Sequence, residues 1–226
     1  MIQKHLQTIG QQIDNLIKKY QRQPHSVQLL AVSKRHPAAA IETAYAAGQR
    51  LFGENYAQEM AEKSAQLTAL DIEWHFIGPI QSNKTKLIAN TAQWVHSVDR
   101  FKIARRLSEQ KPPEHATINV CLQVNINNEV TKSGVSLDEL DTLAAQVSKL
   151  SGITLRGLMA IPSANNSPEQ QRQSFSQLRQ AMEALNKQGY HLDTLSMGMS
   201  NDMPIAISEG ATIVRIGTAI FGQRKS

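Results

Sequence analysis

The hydrophobic positions of this chain change period several times. Ile2, Leu6, Ile9, Ile13, Leu16, Ile17 and Tyr20 recur at spacings of three and four, which puts them on one stripe of a helix. Pro24 ends that pattern. The next run, Val27 to Val32, is short, apolar and β-branched at both ends, as a buried strand is. Residues 37–47 return to a helical pattern, with Pro37 at its start and Gly48 past its end. Short apolar runs then alternate with longer amphipathic ones. Strands are predicted at 50–52, 72–77, 94–98, 117–124, 153–158, 194–197 and 212–216. Between them lie helical stretches at 55–69, 83–90, 100–110 and 136–150, a helix opening at Ser167, and a short one at 204–209. Ser136 with Glu139, and Ser167 with Gln170, have the spacing of capping boxes, and Pro168 suits a first helical position.

Eight strands with crossover connections behind a leading helix predict an α/β protein, a single (β/α)₈ barrel. Residues 1–226 would form one domain, with residues 1–22 as an N-terminal helix packed on it. The rival is an open doubly wound sheet, but no G-x-G-x-x-G follows the first strand.

Composition narrows the class. Hydrophobic residues are 41% of the 226, enough for a sizeable core, and charged residues are 19% with no long like-charge block, which argues against wholesale disorder. Cys121 is the single cysteine, so an intrachain disulfide and a multi-cysteine zinc site are excluded. No apolar run approaches the roughly 18 residues of a membrane span, and the polar N-terminus has no signal-peptide centre. A reducing, cytoplasmic setting is the expectation. The formal net charge is +5, yet the basic residues are scattered and cluster tightly only at Arg224 and Lys225. With aromatics at 5%, a stacking platform for nucleic acid is the weaker reading. No His-x-x-x-His pair or acidic cluster has metal-ligand spacing, so no metal is expected.

The informative feature is what ends each strand. Ser33-Lys34 follows the first strand, Gly53-Glu54-Asn55 the second, and Gly78-Pro79 the third. Ser97 and Asp99 end the fourth, and Asn125 and Asn127 the fifth. Gly198 to Asp202 follows the seventh, and Arg215-Ile216-Gly217-Thr218 closes the eighth. In a barrel these ends converge on the face where active sites form. Lys34 emerges from an apolar run, where desolvation favours the neutral amine that can form a Schiff base with an aldehyde. A lysine that merely snorkels to the rim is the plainer alternative. Gly217 permits close approach of a ligand, and the N–H groups of Gly217 and Thr218 with the Ser200 hydroxyl suit a phosphate. Ordinary turn chemistry explains the glycines equally well. Cys121, Met197, Met199 and Met203 read as packing residues, and His75 as a hydrogen-bonded core histidine.

Several of these segments occur together in one family. LLAVSK (29–34), FGENYAQE (52–59), WHFIGPIQSNK (74–84), HSVDR (96–100), LQVN (122–125) with KSG (132–134), GLMAIP (157–162) and the stretch 195–222 resemble the pyridoxal phosphate homeostasis proteins. The resemblance runs from about residue 27 to 222. It implies a barrel like the N-terminal domain of bacterial alanine racemases. It implies that Lys34 carries pyridoxal 5′-phosphate as an internal aldimine, that Ser200, Gly217 and Thr218 hold its phosphate, that Arg215 faces the pyridine nitrogen, and that Asn55 lines the pocket. One local departure is Arg35-His36, where many relatives have Thr-Lys; it lies outside the implied contacts.

An arginine at the pyridine nitrogen disfavours ring protonation and so weakens the electron sink. Racemases of the related fold take a second catalytic tyrosine from a partner's additional C-terminal domain, and this chain ends soon after the eighth strand's loop. Tyr20, Tyr45, Tyr56 and Tyr190 all fall in predicted helices or at their ends. The expectation is therefore a carrier and buffer of pyridoxal phosphate, active in vitamin B6 and amino-acid homeostasis, with no assigned catalytic residue. Expected partners are the cofactor, small amines or amino acids, and pyridoxal-phosphate-dependent apoenzymes, with the protein itself a monomer. Three alternatives stay open: a low-activity racemase or lyase using the cofactor, a cofactor-free Schiff-base aldolase acting through Lys34, and a basic RNA-binding module.

Overall fold

Eight parallel strands close into a barrel in the order in which they occur along the chain. They are β1 (Gln28–Val32), β2 (Leu51–Glu54), β3 (Glu73–Phe76), β4 (Trp94–Val98), β5 (Ile118–Gln123), β6 (Ile153–Met159), β7 (Thr194–Ser196) and β8 (Ile213–Ile216). The first and last strands complete the ring, with Leu30 opposite Arg215. The computed structural model describes residues 1–127, 129, 132–163 and 165–223; the basic pair Arg224 and Lys225 lies outside the described residues.

The helices are α1 (Ile2–Lys19), α2 (Ala38–Ala46), α3 (Ala57–Gln66), α4 (Thr85–Thr91), α5 (Phe101–Gln110), α6 (Leu137–Val147), α7 (Pro168–Lys187), α8 (Met203–Ser208) and α9 (Thr218–Phe221). The predicted pattern at 83–90 divides into a 3₁₀ turn at Ser82–Lys84 and then α4. The second strand runs on to Glu54, beyond the apolar residues that mark it in sequence, because Gly53 and Glu54 pair with His75 and Phe76. The helix expected from residue 55 starts later, since Tyr56 stays extended. At α7 both halves of the expected capping box form between Ser167 and Gln170. At α6 the box does not form: the Ser136 hydroxyl donates to the Glu139 side chain at 2.8 Å, a charge-assisted bond that competes with the backbone. The four-residue α9 is too short to have a period of its own.

Alternation along the strands sorts side chains between two cores. Trp74 and Phe76 belong to the main core between barrel and helices. Glu73 and His75, on the other side of the same strand, point into the barrel. Trp94, Cys121 and Met159, from three neighbouring strands, form a separate small apolar cluster. The α1 stripe buries Leu6, Ile9, Ile13 and Ile17 against its neighbours α2, α8 and α9. His5 Nδ1 donates to the Ile220 carbonyl at 2.8 Å, and the Arg22 guanidinium donates to the carbonyls of Ile207 and Ala211. Among the described residues no helix is long and apolar enough to cross a membrane.

Candidate functional site

The C-terminal ends of the strands surround a cavity of about 210 Å³. Its lining includes Lys34, Asn55, Ser200, Arg215, Gly217 and Thr218, so all six residues singled out in the sequence meet in one place. Val32 and Ile77 supply apolar wall, and the half-exposed Ile161 and Met199 stand beside the polar groups. A neighbouring cavity of about 280 Å³ shares Asn55, Ile77 and Ile161 and adds Gln123, Asn125 and Lys132.

Lys34 is placed by a buried clamp beneath it. Ser33 N–H donates to the Gly53 carbonyl at 3.0 Å, and Ser33 Oγ donates to Glu54 Oε1 at 2.6 Å. Lys63 Nζ donates to the Ser33 carbonyl at 2.8 Å, to Glu54 Oε1 at 2.6 Å and to Glu59 Oε1 at 2.7 Å. All three ammonium protons of Lys63 are thereby used, so this second lysine is structural. Burial pushes the Glu54 carboxyl up from its ordinary range, against the opposing pull of Lys63. Arg35 then turns the chain with φ +62°, and its N–H is accepted by Glu59. Sequence reasoning passed over this clamp. The signal was present: Ala57, Met60 and Lys63 share the buried stripe of α3, and a lysine on an apolar stripe needs a buried partner.

Two loops complete the cavity. A Cβ at Gly78 would lie 2.0 Å from the Asn55 carbonyl oxygen, so only glycine lets the loop after β3 close on Asn55. Asn55 Oδ1 is buried and has no partner among the described residues. A buried amide oxygen left this way calls for a donor from elsewhere. After β7, Gly198 turns with φ +96°, and its carbonyl accepts from Arg215 N–H at 2.9 Å. The Met199 N–H is held by Asp202 Oδ1. These bonds tie the loop carrying Ser200 to β8.

Arg215 is 5% exposed. Its Nη1 donates to the Ser196 carbonyl at 2.6 Å and to Ser196 Oγ at 2.9 Å, and its Nη2 donates to the Ala160 carbonyl at 3.0 Å. Burial lowers its pKa to about 10, with Asp202 pulling the other way, so the group stays cationic at neutral pH. Behind it a polar chain crosses the barrel interior. Ser196 Oγ meets His96 Nδ1 at 2.7 Å, His96 Nε2 meets His75 Nδ1 at 2.8 Å, and His75 Nε2 meets Glu73 Oε1 at 2.9 Å. His75 is thus a hydrogen-bonded core histidine, as read from the sequence. His96 was not singled out; its place two residues after Trp94, on the inward side of β4, was the available sign.

The family described as "Alanine racemase, N-terminal domain" matches residues 5–225. A pyridoxal phosphate homeostasis protein of Pseudomonas aeruginosa is 57% identical over 203 residues, covering 90% of this chain and 87% of that protein. The chain belongs to the pyridoxal phosphate homeostasis protein family. Another relative, PipY of Synechococcus elongatus, has been solved with pyridoxal phosphate bound. It superposes on 98% of this chain and 100% of its own with a TM-score of 0.86 at 39% identity. An alanine racemase of Corynebacterium glutamicum shares the fold at 16% identity and a TM-score of 0.70, over 94% of this chain and 58% of its own.

The residues present suit such a ligand. The cavity offers an amine, hydroxyls beside a glycine, a guanidinium and one unsatisfied amide oxygen. Of the four tyrosines, none lines the cavity with Lys34; Tyr56 lines an adjoining one of about 240 Å³ and accepts from Arg35 Nη2 at 3.4 Å. Among the described residues, no three His, Cys, Asp or Glu gather as metal ligands would.

Proposed function

We propose that this protein binds pyridoxal 5′-phosphate covalently through Lys34 and holds it reversibly, as a carrier and buffer in vitamin B6 and amino-acid homeostasis. The observation that carries this reading is the convergence of Lys34, Asn55, Ser200, Arg215, Gly217 and Thr218 on one cavity. When bound, the cofactor supplies an aldehyde that couples reversibly to amines and a ring that withdraws electrons. Lys34 would hold the aldehyde carbon. Ser200, Gly217 and Thr218 would hold the phosphate, and Arg215 would donate to the pyridine nitrogen. The covalent attachment suits a reactive aldehyde that must be kept from other amines.

Buffering is favoured over turnover by two features. Arg215 is a donor only, so it would hold the ring nitrogen as an acceptor and would not supply the pairing acid that strengthens the electron sink. No tyrosine lines the cavity to serve the face opposite Lys34. Small amines and amino acids would compete with Lys34 for the aldehyde, and cytoplasmic apoenzymes would receive it. The protein would work as a monomer.

The test is an absorption spectrum of the purified protein with the cofactor, before and after borohydride, with peptide mapping of the trapped adduct. The adduct is expected on Lys34. An adduct on another lysine, or no uptake, overturns the covalent assignment. Racemisation of alanine at ordinary enzyme turnover would overturn the carrier reading.

A further inference from the structure

The polar chain inside the barrel has a direction that its two ends impose. Arg215 can only donate. Ser196 Oγ therefore accepts from Nη1, and its own proton, with no other acceptor among the described residues, goes to His96 Nδ1. At the other end Glu73 can only accept; its hydrogen bond with His75, above all, holds its carboxyl below the ordinary range, with Arg156 adding to this. His75 Nε2 therefore carries the proton that reaches Glu73, and His75 Nδ1 is left to accept from His96 Nε2. Burial favours the neutral form of both imidazoles, and a neutral pair in this chain carries its protons on Nε2. The groups packed around them agree. Trp94 stacks on His75 with rings 5.6 Å apart and 3° from parallel. The buried Cys121 thiol is pushed up to about 12 and so stays neutral. Burial above all, and then His75 and Arg215, oppose a positive charge on His96.

Two donors of Arg215, its Nε–H and the second Nη2–H, have no acceptor among the described residues, and Arg215 lines the cavity. We propose that Ser196, His96, His75 and Glu73 are positioning residues that lock the guanidinium of Arg215 so that its two spare donors face the bound cofactor's ring nitrogen. This inference rests on the function proposed above. The chain is an orienting device and not a proton path, because it ends on a group that does not release its proton. It also links the ring's electronic state to Glu73, which is 42% exposed at the barrel's opposite rim. There it lines a separate cavity with Arg156 and Asp193.

Two measurements test this. Nitrogen-15 NMR of the cofactor-free protein, labelled at histidine, should show both imidazoles neutral with the proton on Nε2 between about pH 6 and 8. An imidazolium, or a proton on Nδ1, at either residue overturns the chain. The second follows the pH midpoint of the absorption band of the lysine-bound cofactor. His96→Leu breaks the chain and is expected to move that midpoint by about one pH unit, a tenfold change in proton affinity. His96→Gln keeps an acceptor toward Ser196 and a donor toward His75, and should stay within about threefold of the unaltered protein. An unmoved midpoint in a folded leucine variant overturns the inference. Should that variant not fold, Glu73→Gln decides: it removes a negative charge and should lower the midpoint, and no shift overturns the inference. Failure of the unaltered protein to take up the cofactor would sink the proposed function, while the NMR result still judges the chain.

Discussion

Lys34 reaches the cavity from a turn that residues outside the cavity hold in place, through the Ser33, Glu54 and Lys63 bonds. Lys34→Ala is expected to abolish the borohydride-trapped adduct completely while leaving weaker, non-covalent uptake through Ser200, Thr218 and Arg215. Equilibrium dialysis with and without borohydride separates the two. Arg215→Gln should cost about 1–3 kcal/mol of stability in the cofactor-free protein, because the Ser196 and Ala160 carbonyls are buried acceptors that lose their partner. Urea unfolding measures that loss. At this scale the sequence was most readable where a polar residue directly joins or interrupts an apolar run, as Lys34 and Arg215 do. It was least readable where the partner is far along the chain. Nothing local tells that His96 faces Ser196, one hundred residues later.

Among the elements, α3 supplies Lys63, which braces the turn before the cavity from below. Lys63→Met would leave Glu54 buried with its charge unpaired, and a loss of about 3–5 kcal/mol is expected. The double change Lys63→Met with Glu54→Met should recover most of it, since both charges are then gone; a double variant no more stable than the single one would refute the pairing. The α7 cap is a smaller matter. Ser167→Ala should lower stability by about 1 kcal/mol in a thermal melt. Strand and helix identities followed from the change of period, because parallel strands buried on both faces read as apolar runs. The ends did not follow. Glu54 is a strand residue through its pairing with Phe76, and Ser136 spends its hydroxyl on a side chain instead of its helix. Both outcomes depend on neighbours outside the local pattern.

For the whole molecule, the buried histidine pair makes stability depend on pH. Burial holds both imidazoles below their ordinary range in the folded state, while an unfolded chain would protonate them near about pH 6.5. Below that pH the unfolded state binds protons that the folded state does not. Stability should therefore fall with acidification, by about 1.4 kcal/mol per pH unit for each histidine. Urea midpoints between about pH 7 and 5 check this, and a flat profile would refute it. The barrel as a whole was legible from eight alternating runs, and its closure was not, since no short stretch records that β1 pairs with β8. That seam has a further meaning. The Lys34 amine follows directly after the first strand and the Arg215 guanidinium stands on the last, so the two line one cavity only because these strands pair. Opening of the β1–β8 edge alone would part the amine from the guanidinium and dismantle the cavity, so the seam is the place where loosening of the ring would first be felt by anything held there.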